Sequence, residues 1–163
     1  MTAAGLERLN QSSPEEAYRD LLRCCGSTQW AHAMVAKRPF RSFEELTIAA
    51  ENQWQQAEEK DLLEAFQAHP RIGGKGSLSS WSQAEQAGAN AATDAAQREM
   101  ADLNDQYFEK FGFVFLICAT GKSHQEMLQS LRARMGADRE EELATAAKEQ
   151  AKITRLRLEK LLC

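Results

Sequence analysis

The sequence predicts an all-α protein, a single compact domain of about seven or eight helices over its 163 residues. Three observations carry that prediction. Helix breakers are scarce: nine glycines and three prolines make up about 7% of the chain, below the usual share for a mixed fold. Alanine, glutamate, glutamine and leucine, all strong helix formers, crowd the remainder. Helix-start signals recur along the chain, with no internal repeat or low-complexity linker between them.

The elements follow from their ends. Ser13-Pro14-Glu15-Glu16 combines a cap, a proline at the first helical position and two first-turn acids, and predicts a helix from Pro14 to about Cys25, stopped by Gly26. A short helix from about Thr28 to Ala36 ends before Arg38-Pro39. Ser42-Phe43-Glu44-Glu45 reads as a capping box opening a helix through about Ala57. Asp61 to Ala68 reads as another helix, blocked by Pro70. Beyond the glycine-rich stretch Arg71–Ser77, Ser82-Gln83-Ala84-Glu85 is a second capping box, and an alanine-rich helix spans about Thr93 to Lys110. Phe111–Ala119 is either a buried extended segment or the start of a buried helix, because a short apolar run has no diagnostic period. Ser123-His124-Gln125-Glu126 is a third capping box for a helix ending near Gly136, and Asp138 caps a last helix to about Leu162. Most leucines, alanines and phenylalanines read as core.

Charge and cysteine usage narrow the function classes. The formal charge of −4 argues against nucleic acid as a partner, since phosphate binding requires a basic surface. Phe113–Thr120, the longest apolar run, falls short of the roughly 20 residues that span a bilayer. Met1–Gln11 is polar and lacks the apolar core of a signal peptide. Cys24, Cys25, Cys118 and Cys163 form no C-x-x-C pair or zinc spacing. No disulfide framework, no metal and a reducing, cytoplasmic setting are therefore expected.

Two phosphate-binding readings fail. Ala119–Ser123 ends like a phosphate loop, but Leu116 stands where its first glycine is required, so Gly121 and Ser123 read as turn and cap. The loop after His69 has no preceding strand and is not a dinucleotide fingerprint.

Three polar residues stand out. His32 lies within a helix and His124 at an exposed helix start. His69 instead ends a helix before a proline and a glycine loop, where a side chain can face a cleft and act near neutral pH. Glu85 either bonds back to its own cap or serves a site at that helix start. On the last helix, Leu143, Ala146, Ala147, Gln150, Ile153, Thr154, Leu158 and Leu161 share one side at about 100° per residue. Arg157 falls inside that stripe. A guanidinium facing inward needs a partner, either a structural carboxylate or an anionic substrate.

Together these segments resemble the OHCU decarboxylases, enzymes of urate breakdown that act on 2-oxo-4-hydroxy-4-carboxy-5-ureidoimidazoline. The resemblance lies in His69-Pro70-Arg71-Ile72-Gly73, Ser82-x-x-Glu85-Gln86, Phe111-Gly112-Phe113-Val114-Phe115 running into Ile117-Cys118-Ala119, and Lys152-Ile153-x-x-Leu156-Arg157-Leu158. The four motifs stand in the same order, and the resemblance runs over nearly the whole chain, from the Ser42-Phe43 region to the C-terminus. Val114 stands where many members carry proline, and Leu161-Leu162-Cys163 is not a peroxisomal tail, which implies a bacterial-type cytoplasmic enzyme.

The resemblance implies an all-α homodimer without a cofactor that converts OHCU to (S)-allantoin and CO2. It implies His69, Glu85 and Arg157 as the catalytic polar set. Pro70, the segment Ser82, Gln83, Ala84, Glu85 and Gln86, and the segment Phe115, Leu116, Ile117, Cys118 and Ala119 correspond to the family's substrate-binding stretches. Two rival readings are a helical interaction domain, which would have no polar cleft, and a ureide hydrolase or racemase. Hydrolysis wants metal ligands or a nucleophile, and Cys118 lies in an apolar run where a buried thiol is inert.

Overall fold

The computed structural model describes residues 2–71 and 93–163. Among them are eight α-helices and no strand: α1 (Ala3–Gln11), α2 (Pro14–Cys24), α3 (Thr28–Ala36), α4 (Phe43–Gln55), α5 (Glu59–Gln67), α6 (Asp94–Phe111), α7 (His124–Arg134) and α8 (Arg139–Leu161). The all-α expectation holds. The second capping box, at Ser82–Glu85, lies outside the described residues.

Helix α1 was not anticipated, and its support comes from far along the chain. Thr2 caps it by accepting from the Gly5 N–H, while its own N–H and hydroxyl both donate to the Leu162 carbonyl, at 2.9 and 3.0 Å. Gly5 is buried against that carbonyl, because a Cβ there would lie 2.1 Å from the Leu162 oxygen. Arg38 closes the other end by donating to the Leu9 and Ser12 carbonyls, both at 2.8 Å.

The predicted starts hold with two corrections. Ser42 caps α4 through the Glu45 N–H, but the Glu45 carboxylate accepts from Arg41, one residue upstream of a true capping box. Helix α5 begins two residues before Asp61, whose carboxylate folds back to the Glu58 N–H and so sits inside the first turn. Ser123 and Glu126 form the full reciprocal box on α7, and that backbone bond holds the Glu126 carboxyl below its usual range.

The chain forms two compact units, residues 1–65 with 150–163, and residues 66–149. In the first, α2 packs on α3 and α3 on α4. Leu21, Trp30, Met34, Leu46 and Leu158 are fully buried, and the Trp30 indole donates to the Ala50 carbonyl at 3.1 Å. In the second, α6 packs on α7 around Phe66, Met100, Tyr107, Phe111, Phe115 and Leu131.

Candidate active site

In the second unit, α6 ends at Gly112, which adopts φ +82° and donates to the Phe108 carbonyl at 2.8 Å. Only glycine takes this left-handed cap without strain. From Phe113 the chain runs as a non-helical, mostly buried segment through Ala119, so the buried-helix alternative is not the observed one. Phe113 and Phe115 both meet the Tyr107 ring edge-on, at 5.9 and 5.5 Å, as alternate residues of an extended chain do. Gly121, at φ +78°, then turns the chain into the Ser123 cap, the turn-and-cap role read for Ala119–Ser123.

Three charged side chains hold this segment. From the end of α7, Arg134 lies over the Phe115 ring at 4.6 Å and donates through Nη1 to the Leu116 carbonyl at 2.7 Å. Its Nε pairs with Glu142, a carboxylate 1% exposed that also accepts from the Tyr107 hydroxyl at 2.6 Å. Burial, aided by the bond to Glu142, pushes the Tyr107 phenol above its ordinary value and keeps it a donor. From α8, Glu149, also buried, accepts from the Cys118 N–H at 3.1 Å, and Lys122 donates to the Cys118 carbonyl at 3.0 Å.

These bonds dictate where the intervening residue points. Both peptide units around Ile117 are trans, so in each the C=O and N–H point in opposite directions. Arg134 takes the Leu116 carbonyl, which turns the Ile117 N–H away from it. Glu149 takes the Cys118 N–H, which turns the Ile117 carbonyl away likewise. Among the described residues no hydrogen bond engages either Ile117 group, although the residue is only 5% exposed. A buried donor and acceptor on one residue match in kind the C=O and N–H of a cyclic amide or ureide.

His69 belongs to the same unit. It follows the last turn of α5, its N–H bonded to the Phe66 carbonyl at 3.1 Å, and its side chain is half-buried. Phe66, three residues earlier, meets Phe113 at 5.6 Å, which ties the end of α5 to the start of the extended segment. Pro70 and Arg71 follow, with Arg71 over the Phe108 ring and paired with Asp105 on α6. Ser82, Gln83, Ala84, Glu85 and Gln86 lie outside the described residues.

Arg157 lies in the first unit. It is 8% exposed, as the helical wheel required, with Ala146, Gln150, Ile153, Thr154 and Leu158 buried on the same stripe of α8 and Lys148, Lys152 and Arg155 exposed. One partner is neither of the two expected kinds: Nη1 donates to the Arg23 carbonyl, in the last turn of α2, at 3.1 Å. That turn leaves carbonyls without intrahelical partners and carries the negative end of the helix dipole, so a guanidinium satisfies both. Cys24 and Cys25 lie beside it. Burial pushes both thiols up to about 12 although the nearby Arg157 charge opposes the shift, so neither is a nucleophile near neutral pH.

Cys118 is buried, as its apolar run implied. His124 is a correction: it is half-buried instead of exposed, and both its ring nitrogens are shielded from solvent without a partner among the described residues. His32 is exposed and stacked on Tyr18 at 4.3 Å. Among the described residues no group of three His, Cys, Asp or Glu side chains could hold a metal ion, and no helix is long and apolar enough to cross a membrane.

Glu142 and Glu149 escaped the sequence reading. Their signal was the same wheel: 142, 146, 149, 150, 153 and 157 follow the i, i+4, i+7 spacing of one helix face. Acids on an amphipathic helix are assigned to solvent by default, and these two face inward.

Known proteins resemble this arrangement over most of the chain. Residues 10–159 match the family model of OHCU decarboxylase. The 2-oxo-4-hydroxy-4-carboxy-5-ureidoimidazoline decarboxylase of Halalkalicoccus jeotgali is 33% identical over 168 residues, covering 99% of this chain and 93% of that protein. The uric acid degradation bifunctional protein TTL of Arabidopsis thaliana is 43% identical over 145 residues, covering 85% of this chain and 45% of that protein. The chain spans less than half the length of the bifunctional relatives that it matches. A crystal structure of OHCU decarboxylase in the presence of (S)-allantoin has a TM-score of 0.79 at 38% identity, covering 93% of this chain and 99% of that one. A match that runs from the first helix to the last turn of α8 leaves one assignment, and the chain belongs to the OHCU decarboxylase family.

Proposed function

We propose that this chain decarboxylates OHCU to (S)-allantoin and CO2 in urate breakdown, as a carboxy-lyase without a cofactor. The family match over residues 10–159 carries this reading, and the Ile117 edge supplies recognition chemistry for the ring.

The substrate brings its own electron sink. The carbon that loses CO2 bears a hydroxyl and adjoins a ring C=N bond. When the C–C bond to the carboxylate breaks, its electron pair forms a new ring C=C bond, and the imine pair moves onto nitrogen, which takes up a proton. A proton then reaches the neighbouring carbon from one face while the hydroxyl loses its proton and becomes the carbonyl. Pyridoxal or thiamine, which hold that electron pair in many decarboxylases, have no task here.

In this reading His69 moves the protons. Glu85 orients the ureido and ring N–H groups and keeps His69 charged. Arg157 grips oxygen-rich parts of the substrate through its fork and stabilises developing negative charge. It engages ring oxygens or the hydroxyl in preference to the departing carboxylate, since holding that group would stabilise the ground state. Ser82 and Gln86 complete the polar net, with Gln83, Ala84 and Pro70 lining it. The backbone of Phe115–Ala119 pairs with the ring amide edge. The same reading includes a homodimer, checked by light scattering, and a cytoplasmic setting.

The test generates OHCU in situ from urate with urate oxidase and hydroxyisourate hydrolase, and follows allantoin by circular dichroism. Rapid appearance of one enantiomer supports the decarboxylase. Slow racemate, the same with and without the chain, refutes it. Arg157→Lys should lose most activity, because a point charge cannot replace a bidentate fork. Unchanged kinetics would make Arg157 only a clasp on the end of α2.

A further inference from the structure

We propose that Glu149 is a positioning residue for substrate recognition, holding the Ile117–Cys118 peptide by its N–H so that the Ile117 carbonyl stays turned to the substrate ring. The inference rests on the decarboxylase reading above and adds a residue that none of the four motifs contains.

The geometry sets the direction of the effect. Glu149 accepts from the Cys118 N–H at 3.1 Å. That N–H and the Ile117 carbonyl are two ends of one planar unit, so fixing one aims the other. A carboxylate on the N–H also polarises the unit and makes its carbonyl a stronger acceptor, because hydrogen bonds in a chain reinforce one another. Arg134 does the converse at the preceding unit: its bond to the Leu116 carbonyl, at 2.7 Å, aims the Ile117 N–H and sharpens it as a donor. An anion behind the acceptor and a cation behind the donor thus match the two halves of the edge. Packing alone does not account for an acid at this place. Glu149 is 8% exposed, and a buried carboxylate carries a desolvation penalty that an aliphatic side chain would avoid. Apolar neighbours already bury the segment, with Phe115, Leu116, Ile117, Cys118 and Ala119 all between 1% and 7% exposed.

The test compares the parent with E149Q, E149D and E149L in the OHCU assay, with melting curves for each. Gln keeps an acceptor oxygen at the same reach, so E149Q should hold KM within about threefold of the parent. Leu removes the acceptor and Asp withdraws it by one methylene. Both should raise KM about tenfold with kcat within about twofold, the effect of misaiming one neutral hydrogen bond from the Ile117 carbonyl to the substrate. E149D keeps the result readable if E149L does not fold. An unchanged KM in E149D and E149L overturns the assignment. So does a fall in kcat and melting temperature together that E149Q shares, since that is the mark of a purely structural role. If the parent itself yields no enantiomeric excess, the decarboxylase reading fails and this inference falls with it. A parent that turns over beside an unaltered E149D and E149L refutes this inference alone.

Discussion

Replacing Arg134 by leucine should cost about 4 kcal/mol, far more than a surface ion pair is worth. Its side chain is 13% exposed and that of Glu142 is 1% exposed, so little solvent screens the pair. Removal leaves Glu142 buried with the Tyr107 hydroxyl at 2.6 Å as its remaining neutral donor, and strips the donor from the Leu116 carbonyl. Breaking a buried pair at one end costs roughly 3–5 kcal/mol, because the abandoned charge keeps its desolvation penalty. For a chain of this size roughly 2–4 °C of melting temperature corresponds to each kcal/mol, so R134L should melt about 10 °C below the parent. E142L should lose a similar amount. The double variant R134L/E142L should recover at least half of the summed loss, since two apolar side chains replace the pair without an orphaned charge. Thermal denaturation by circular dichroism on the four proteins measures the coupling. Single losses that add to within about 0.5 kcal/mol, or an R134L loss under about 1 kcal/mol, would refute the reasoning and place the pair with ordinary surface bridges.

Three further outcomes follow from the described residues. Gly5→Ala forces a methyl group against the Leu162 carbonyl and should lower the melting temperature by several degrees, about 2 kcal/mol of overpacking; an unchanged melt would mean that α1 is not seated there. Native thiol titration with a disulfide reagent should modify Cys163 quickly and Cys24, Cys25 and Cys118 only on unfolding, because Cys163 is the exposed thiol and burial keeps Cys24 and Cys25 protonated. Glu126→Ala should destabilise the protein at neutral pH and less so in acid. A carboxyl held below its usual 4.5 contributes above that value and loses its contribution as the pH falls through the depressed one, so a gap in melting temperature that stays constant from pH 7 to pH 3 would contradict the cap.

What could be read from the sequence follows from how local each determinant is. Helix α2 is bounded as expected because Ser13, Pro14 and the stop near Gly26 act within a turn of the helix. Helix α3 ends at Ala36, just ahead of Arg38-Pro39, for the same reason. Helix α1 escaped because its anchor, the Leu162 carbonyl that accepts from Thr2, lies 160 residues away. Phe111–Ala119 stayed ambiguous because the segment is buried on nearly every side, which erases the alternation that marks a half-exposed strand. Arg157 could be placed inward because the 3.6-residue period is a property of α8 alone. Its bond to the Arg23 carbonyl could not be read, since a backbone acceptor has no residue signature. The Ile117 edge was hidden for the same reason: its direction is set by Arg134 and Glu149, 17 and 32 positions along the chain, and by the planarity of two peptides. The family motifs pointed to the segment, and the structure shows that Arg134 and Glu149 hold the peptides on either side of Ile117 and leave its own N–H and carbonyl without a hydrogen bond among the described residues.

The most direct measurement compares the parent and His69→Asn in the coupled assay from urate, reading allantoin by circular dichroism against a control without the chain. Asparagine is polar and close in size to histidine but cannot carry a proton at neutral pH. The account predicts one enantiomer formed rapidly by the parent, and slow racemate at the background rate with H69N, the two proteins melting within a few degrees of each other. Rapid formation of a single enantiomer by a folded H69N would contradict the role given to His69, and background racemate from the parent would contradict the decarboxylase itself.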